Sequence, residues 1–119
     1  MWSILRSVMH VSSREERVAR NEATTRDINE GIEQAHAGGP AGEHVRVLCE
    51  CGRPDCDRVI AITLAEYESV RADPRQFAVA LGHVTAEVER VVAKTDRYAV
   101  VTKREGTPAA VATEEDPRD

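Results

Sequence analysis

Large rings are nearly absent from these 119 residues: Trp2, Tyr67, Phe77 and Tyr98 are the whole aromatic complement. A core with so few rings buries less area per residue, and a chain of this length has little to spare. An added staple would therefore help it hold one shape. Also missing is any apolar run near the roughly 20 residues that a membrane-crossing helix needs, so no membrane association is expected. Met1–Ser13 holds one arginine and a short mixed apolar stretch with no small-residue cleavage pattern behind it, which reads as a flexible leader or an upstream start and not as an export signal. An excess of positive charge is lacking too. The formal net charge of −5 argues against nucleic acid as a partner, although a local basic stripe survives such a balance. "AGGPAG" has neither the lysine nor the following helix start of a phosphate-cradling loop. The cysteines number three, an odd count that suits a metal better than a disulfide framework, and a cytoplasmic setting would keep them reduced. No internal repeat is present.

What the chain does contain falls into four stretches: a leader over 1–12, an amphipathic helix over 13–37, an α+β domain over 43–104 and an acidic tail over 105–119. Ser13 and Glu16 have the spacing of a capping box. Val18, Thr25, Ile28, Ile32 and Ala35 follow on one thin stripe, interrupted by Asn21 and Glu22, which predicts roughly six turns of helix that cover the domain or pair with a second copy in a homodimer. Arg14, Arg17 and Arg20 are neutralised by Glu15, Glu16 and Glu22 and read as a solvated face. Gly38, Gly39, Pro40 and Gly42 end the helix. His44–Leu48 and Arg58–Ile62 alternate as the arms of a hairpin. Thr63 and Glu66 make a second capping box for a short helix that Asp73-Pro74 stops. Phe77–Leu81, Glu87–Lys94 and Arg97–Lys103 read as three further strands, with Val88, Val91, Tyr98, Val100 and Val101 facing inward. The tail cannot bury enough to order itself and is expected to be disordered. The expected fold is α+β: a long N-terminal helix, then an antiparallel sheet of about five strands with one short helix.

All three thiols fall within "LCECGRPDC", Leu48–Cys56. Strand alternation puts Cys49 and Cys51 on one side and Glu50 on the other. Gly52 permits a sharp turn, and Pro54-Asp55 shape the return to Cys56. Three sulfurs thereby converge as a tetrahedral zinc ion requires, about 2.3 Å from each. Packing explains such a cluster poorly, because free cysteines are usually buried one at a time as small hydrophobes. The candidates for the fourth ligand are His10, His36, His44 and His83, with water or Glu50 as substitutes. His83 is the choice: it follows a strand in "LGHV", beside a glycine that relieves crowding at a turn. His44 begins the strand that leads to Cys49, about 17 Å away if extended. The expected metal site is Cys49, Cys51, Cys56 and His83, holding one zinc ion.

The run "CECGRPDC", then "ITLAEYESVRADPRQFAVALGH" and "EVERVVAKTDRYAVVTKR", resembles an uncharacterised family of small proteins of high-GC actinobacteria. "RVARNEATTRDINEGIE" extends the similarity, so that it spans roughly 14–104. The resemblance implies that the cysteine triplet and the Gly82-His83 pair form one site. It implies no activity.

Four protein ligands would close the coordination sphere, which marks a structural zinc; an open fourth position would mark a catalytic one. The first expectation is therefore a non-enzymatic regulatory or adaptor module that binds another protein. The second is a thiol-based redox or metal-responsive switch using the same cysteines. A zinc hydrolase with an open site comes third, and it would need a base that Glu50, facing away, does not supply. A nucleic-acid-binding zinc module is disfavoured by charge. A cysteine–histidine nucleophile is disfavoured because nothing singles out one of three crowded thiols.

Overall fold

A computed structural model of the chain describes residues 2–40, 42–104, 112, 113, 116 and 118, with 2–15 described by backbone alone. Helix α1, Trp2–His36, leads into strand β1, His44–Leu48, and strand β2, Val59–Thr63. Helix α2 is Leu64–Arg71, and strands β3, β4 and β5 are Gln76–Val79, Glu89–Lys94 and Ala99–Lys103. The architecture is the expected α+β one, but the strands form two antiparallel sheets instead of one: a β1–β2 hairpin and a three-stranded sheet in the order β3-β5-β4. Among the described residues no helix is long and apolar enough to cross a membrane.

The hairpin runs in register from His44 opposite Thr63 to Leu48 opposite Val59. Val45, Val47, Ile60 and Ile62 alternate inward, as period-two patterning demands. At Thr63 the chain turns directly into α2. The Thr63 hydroxyl accepts from the Glu66 amide at 3.1 Å, and the Glu66 carboxylate accepts from the Thr63 amide at 2.9 Å, so the expected capping box is complete. Tyr67 and Val70 bring α2 onto the core shared with Phe77, Val79 and Val101.

Three further sequence expectations need correction. The helix does not begin at Ser13: the backbone is already helical from Trp2, through the stretch expected to be a leader. Its inward stripe is also different. Ala19, Glu22, Ala23, Arg26, Asn29, Glu30 and Glu33 are buried, whereas Ile28 is 49% exposed and Ala35 is exposed. This stripe follows helical spacing, but most of its members are polar, so a search for apolar residues finds the wrong face. Glu22, Arg26, Asn29 and Glu30 each have a buried partner, and Glu33 pairs with the exposed Arg118. Lys103 donates to Glu22, and Arg26 donates to the Pro74 carbonyl at 2.6 Å and the Ala112 carbonyl at 2.9 Å. Arg26 also lies 4.7 Å from the Phe77 ring centre.

The third correction concerns β4. Its register with β5 slips between Val91 and Ala93, leaving Val92 as the extra residue of a bulge. Val91 and Val92 are 43% and 40% exposed, so Val91 is not the inward residue that alternation predicts. Of the tail expected to be disordered, 105–111, 114, 115, 117 and 119 lie outside the described residues. Three of the four described ones reach the body. Ala112 is buried, Asp116 accepts from Arg71, and Arg118 pairs with Glu30, Glu33 and Glu68 at 2.7 to 2.9 Å.

Candidate metal centre

Two turns build the site. After β1, Cys49 keeps the hairpin pairing through its amide to the Arg58 carbonyl at 2.9 Å. The Glu50 amide then donates to the Ala78 carbonyl at 2.9 Å, so the cysteine segment leaves its own hairpin and lies along the end of β3. Gly52, at φ 78°, turns the chain back. The Cys56 amide closes the loop on the Arg53 carbonyl at 3.1 Å, with Pro54 and Asp55 at the corner. The second turn follows β3: the His83 amide donates to the Ala80 carbonyl at 3.0 Å, with Gly82 at φ 83°. Glycine is needed there to present the imidazole toward the sulfurs.

The two turns bring one donor atom from each of Cys49, Cys51, Cys56 and His83 within 4.8 Å of one another. His83 Nδ1 stands 3.6 Å from Cys49 Sγ and 3.5 Å from Cys56 Sγ. With metal–sulfur bonds of about 2.3 Å and metal–nitrogen bonds of about 2.05 Å, the sulfur–nitrogen edge of a tetrahedron is about 3.55 Å. The two sulfur–nitrogen separations match that edge, and the group can hold a metal. The imidazole faces inward by Nδ1.

Electrostatics fit the same reading. Burial pushes the Cys49 thiol up to about 12, and the neighbouring Cys51 and Cys56 sulfurs push the same way. Burial also raises Cys51. Crowded sulfurs cannot all ionise alone, but a divalent cation at their centre reverses that cost. The Ala80 amide already points at Cys49 Sγ from 3.1 Å, a hydrogen bond that favours the thiolate. His83 is lowered, first by burial and then by Arg53 and Arg58, which keeps its ring neutral and free to ligate.

The other candidates stand apart. His36 and His44 are exposed and outside the group, and His36 Nδ1 donates to the Ile32 carbonyl at 2.9 Å. The side chain of His10 lies outside the described residues. Glu50 faces the opposite way, as alternation predicts, and is fully buried. Its carboxylate accepts from Asn29 at 2.9 Å, Tyr67 at 2.8 Å and the Ala78 amide at 2.9 Å. It is neither a substitute ligand nor a base on the sulfur side, and it serves to anchor the cysteine segment. Sequence reading does not reveal that role, nor the amide of Ala80. Backbone donors leave no mark in residue type, and the partners of Glu50 come from a distant helix, Asn29, and from α2, Tyr67.

The knuckle also rests on α1. Asn21 donates to the Gly52 carbonyl at 3.3 Å. Asn29 grips the end of β1, donating to the Leu48 carbonyl at 2.9 Å and accepting from the Leu48 amide at 2.8 Å. Comparison with protein-family models, curated proteins and solved structures finds no match to this chain.

Proposed function

We propose that the protein is a small, zinc-stabilised, non-enzymatic module of the cytoplasm that acts as a regulatory or adaptor protein. The observation that carries this reading is the position of His83 Nδ1, 3.5 and 3.6 Å from two of the three clustered sulfurs. Three thiolates and one imidazole favour zinc over harder cations, and four protein ligands leave no position for an activated water. The ion ties the β1–β2 hairpin to the end of β3, two parts otherwise joined near the site by the Glu50–Ala78 pairing and the Ala80 amide on Cys49 Sγ. Zinc binding thus becomes folding free energy for a chain with few rings. The resemblance to small actinobacterial proteins, carried by runs over roughly 14–104, belongs to the same reading, because it too puts Cys49, Cys51, Cys56 and His83 in one site. The partner is another protein, and pairing of α1 with a second copy is the form such a contact takes if the module is a homodimer.

The second reading is a thiol switch. Cys49 and Cys51 are buried while Cys56 is half-buried, so an oxidant reaches the cluster through Cys56. Native mass spectrometry of the full chain, with and without chelator and peroxide, separates the two. One zinc per chain that survives mild peroxide with the fold intact supports the structural module. Zinc lost at low peroxide with one disulfide formed supports the switch. A chain that folds fully and binds no zinc refutes both.

A further inference from the structure

The acidic chain carries a concentrated basic cavity, far in sequence from the cysteines. Where β5 ends, a hollow of about 250 Å³ is lined by Arg75, Arg90, Thr102, Lys103 and Arg104. Sheet pairing assembles it from three segments. Gln76 and Arg90 flank Thr102 on the neighbouring strands. The Lys103 amide donates to the Arg75 carbonyl at 3.0 Å, and the Arg104 amide to the Val88 carbonyl at 2.8 Å. No motif announces this grouping, because the arginines are 14 or more positions apart in the chain.

Its members are held in different ways. Arg75 is braced by Asp73, whose carboxylate accepts from Nε and Nη2 at 3.3 Å each. Arg104 is oriented by its Nε, which donates to the Ala86 carbonyl at 3.1 Å. Arg90 is exposed, and its side chain has no hydrogen bond or ion pair among the described residues. Thr102 is only 8% exposed, and its hydroxyl has no hydrogen-bond partner among the described residues. The Lys103 ammonium is turned away into a buried pair with Glu22 and Glu89.

We propose that this cavity binds the phosphate group of a small phosphorylated molecule, held between the guanidinium groups of Arg75, Arg90 and Arg104 with the Thr102 hydroxyl donating to it. Guanidinium forks match phosphate oxygens in pairs and keep their charge at any physiological pH. The Thr102 hydroxyl, which no side chain or backbone group among the described residues engages, adds a further donor for a phosphate oxygen. The volume suits one phosphate with part of its ester. A long polyanion is disfavoured by the net charge of −5. The site shares no residue with the metal centre and does not depend on how that centre is read.

The test is calorimetric titration of the zinc-loaded full chain with inorganic phosphate and with phenyl phosphate, at ionic strength matched with sodium chloride. Saturable one-to-one binding is expected for both. Arg90→Gln should weaken it about tenfold, the usual effect of losing one charge-assisted hydrogen bond. Thr102→Val should weaken it about three- to tenfold. The Arg90 side chain is exposed and has no partner among the described residues, so Arg90→Gln should leave thermal melting unchanged, which separates lost binding from lost fold. Absence of saturable heat, or equal affinity in Arg90→Gln and the parent, overturns the proposal. So does a single-stranded oligonucleotide that binds more tightly than inorganic phosphate and loses binding in the same variant, because the site would then serve nucleic acid.

Discussion

Glu50 and Ala78 exchange two hydrogen bonds: the Glu50 amide donates to the Ala78 carbonyl at 2.9 Å, and the Ala78 amide donates to the Glu50 carboxylate at 2.9 Å. The pairing holds the segment between two cysteines against β3 and fixes which way their sulfurs face. Glu50→Ala would leave the Asn29 amide, the Tyr67 hydroxyl and the Ala78 N–H buried without their acceptor. It should cost about 3 kcal/mol or more of folding free energy. Glu50→Gln keeps an acceptor for Ala78 and should cost less. Urea unfolding of the zinc-loaded variants measures both, and an unchanged midpoint for Glu50→Ala would show that the anchor is dispensable.

His83→Ala removes the one ligand that comes from beyond the hairpin. Loss of an outer partner of a metal ligand already costs about 10–100-fold in affinity, so loss of a ligand should cost more than that. His83→Cys restores four donors and should recover most of the binding. Competition with a chromogenic chelator reads the affinity, and circular dichroism after chelation reads the fold. Removing the metal should loosen the wild-type structure and lower its melting temperature, since the bare thiols return toward the protonated state. An affinity for zinc unaltered in His83→Ala would exclude the imidazole as the fourth donor.

Local signals were the legible ones. The hairpin arms, the Thr63–Glu66 box and the convergence of Cys49, Cys51 and Cys56 all follow from periodicity, capping or turn chemistry within a few residues. His83 was within reach because a glycine beside it marked a turn at the end of a strand. The inward face of α1 was not legible. Glu22, Arg26 and Asn29 are buried because Lys103, Pro74, Glu50 and Leu48 wait for them 19 to 81 residues away. No local rule ranks those side chains above Ile28. The bulge at Val92 and the division into two sheets were hidden for a related reason: alternation predicts strands but not where a ladder breaks. Arg118 finds three carboxylates on two helices, which the composition of an acidic tail does not suggest.

Gly52 is where the knuckle and α1 come closest. A Cβ there would lie 2.5 Å from Glu22 Cγ and 2.6 Å from the Val18 carbonyl oxygen, and φ is 78°. Gly52→Ala therefore combines a backbone conformation that alanine resists with a collision against a helix backbone. The expected loss is about 2 kcal/mol or more. Gly42→Ala, with nothing within 4 Å of the new methyl group, serves as the control and should be near neutral. Equal denaturation midpoints for the two variants would mean that α1 does not rest on the cysteine loop in solution.

A single ammonium serves two carboxylates beneath α1. Lys103 Nζ donates to Glu89 at 2.7 Å and also to Glu22, and all three side chains are buried. Burial pushes Glu22 from its ordinary 4.5 up to about 8, against the pull of Lys103 and with Glu89 and Glu50 adding to the rise. Below that pH Glu22 is a neutral acid beside Lys103 and Glu89; above it Glu22 adds a negative charge to this buried group. The unfolded chain gives up this proton near 4.5 and the folded chain keeps it to about 8. Glu22 therefore favours folding most fully below the lower value and loses that contribution as pH climbs toward the upper one. Glu22→Gln removes the titration while keeping the shape. Between pH 5.5 and 8.5 the zinc-saturated parent should lose stability relative to Glu22→Gln by on the order of 1–3 kcal/mol. Glu33, also raised, to about 7, is common to both proteins and cancels in the comparison. Parallel stability curves for the two proteins across that range would show that Glu22 is ionised in the folded protein throughout, and that Lys103 balances both carboxylates alone.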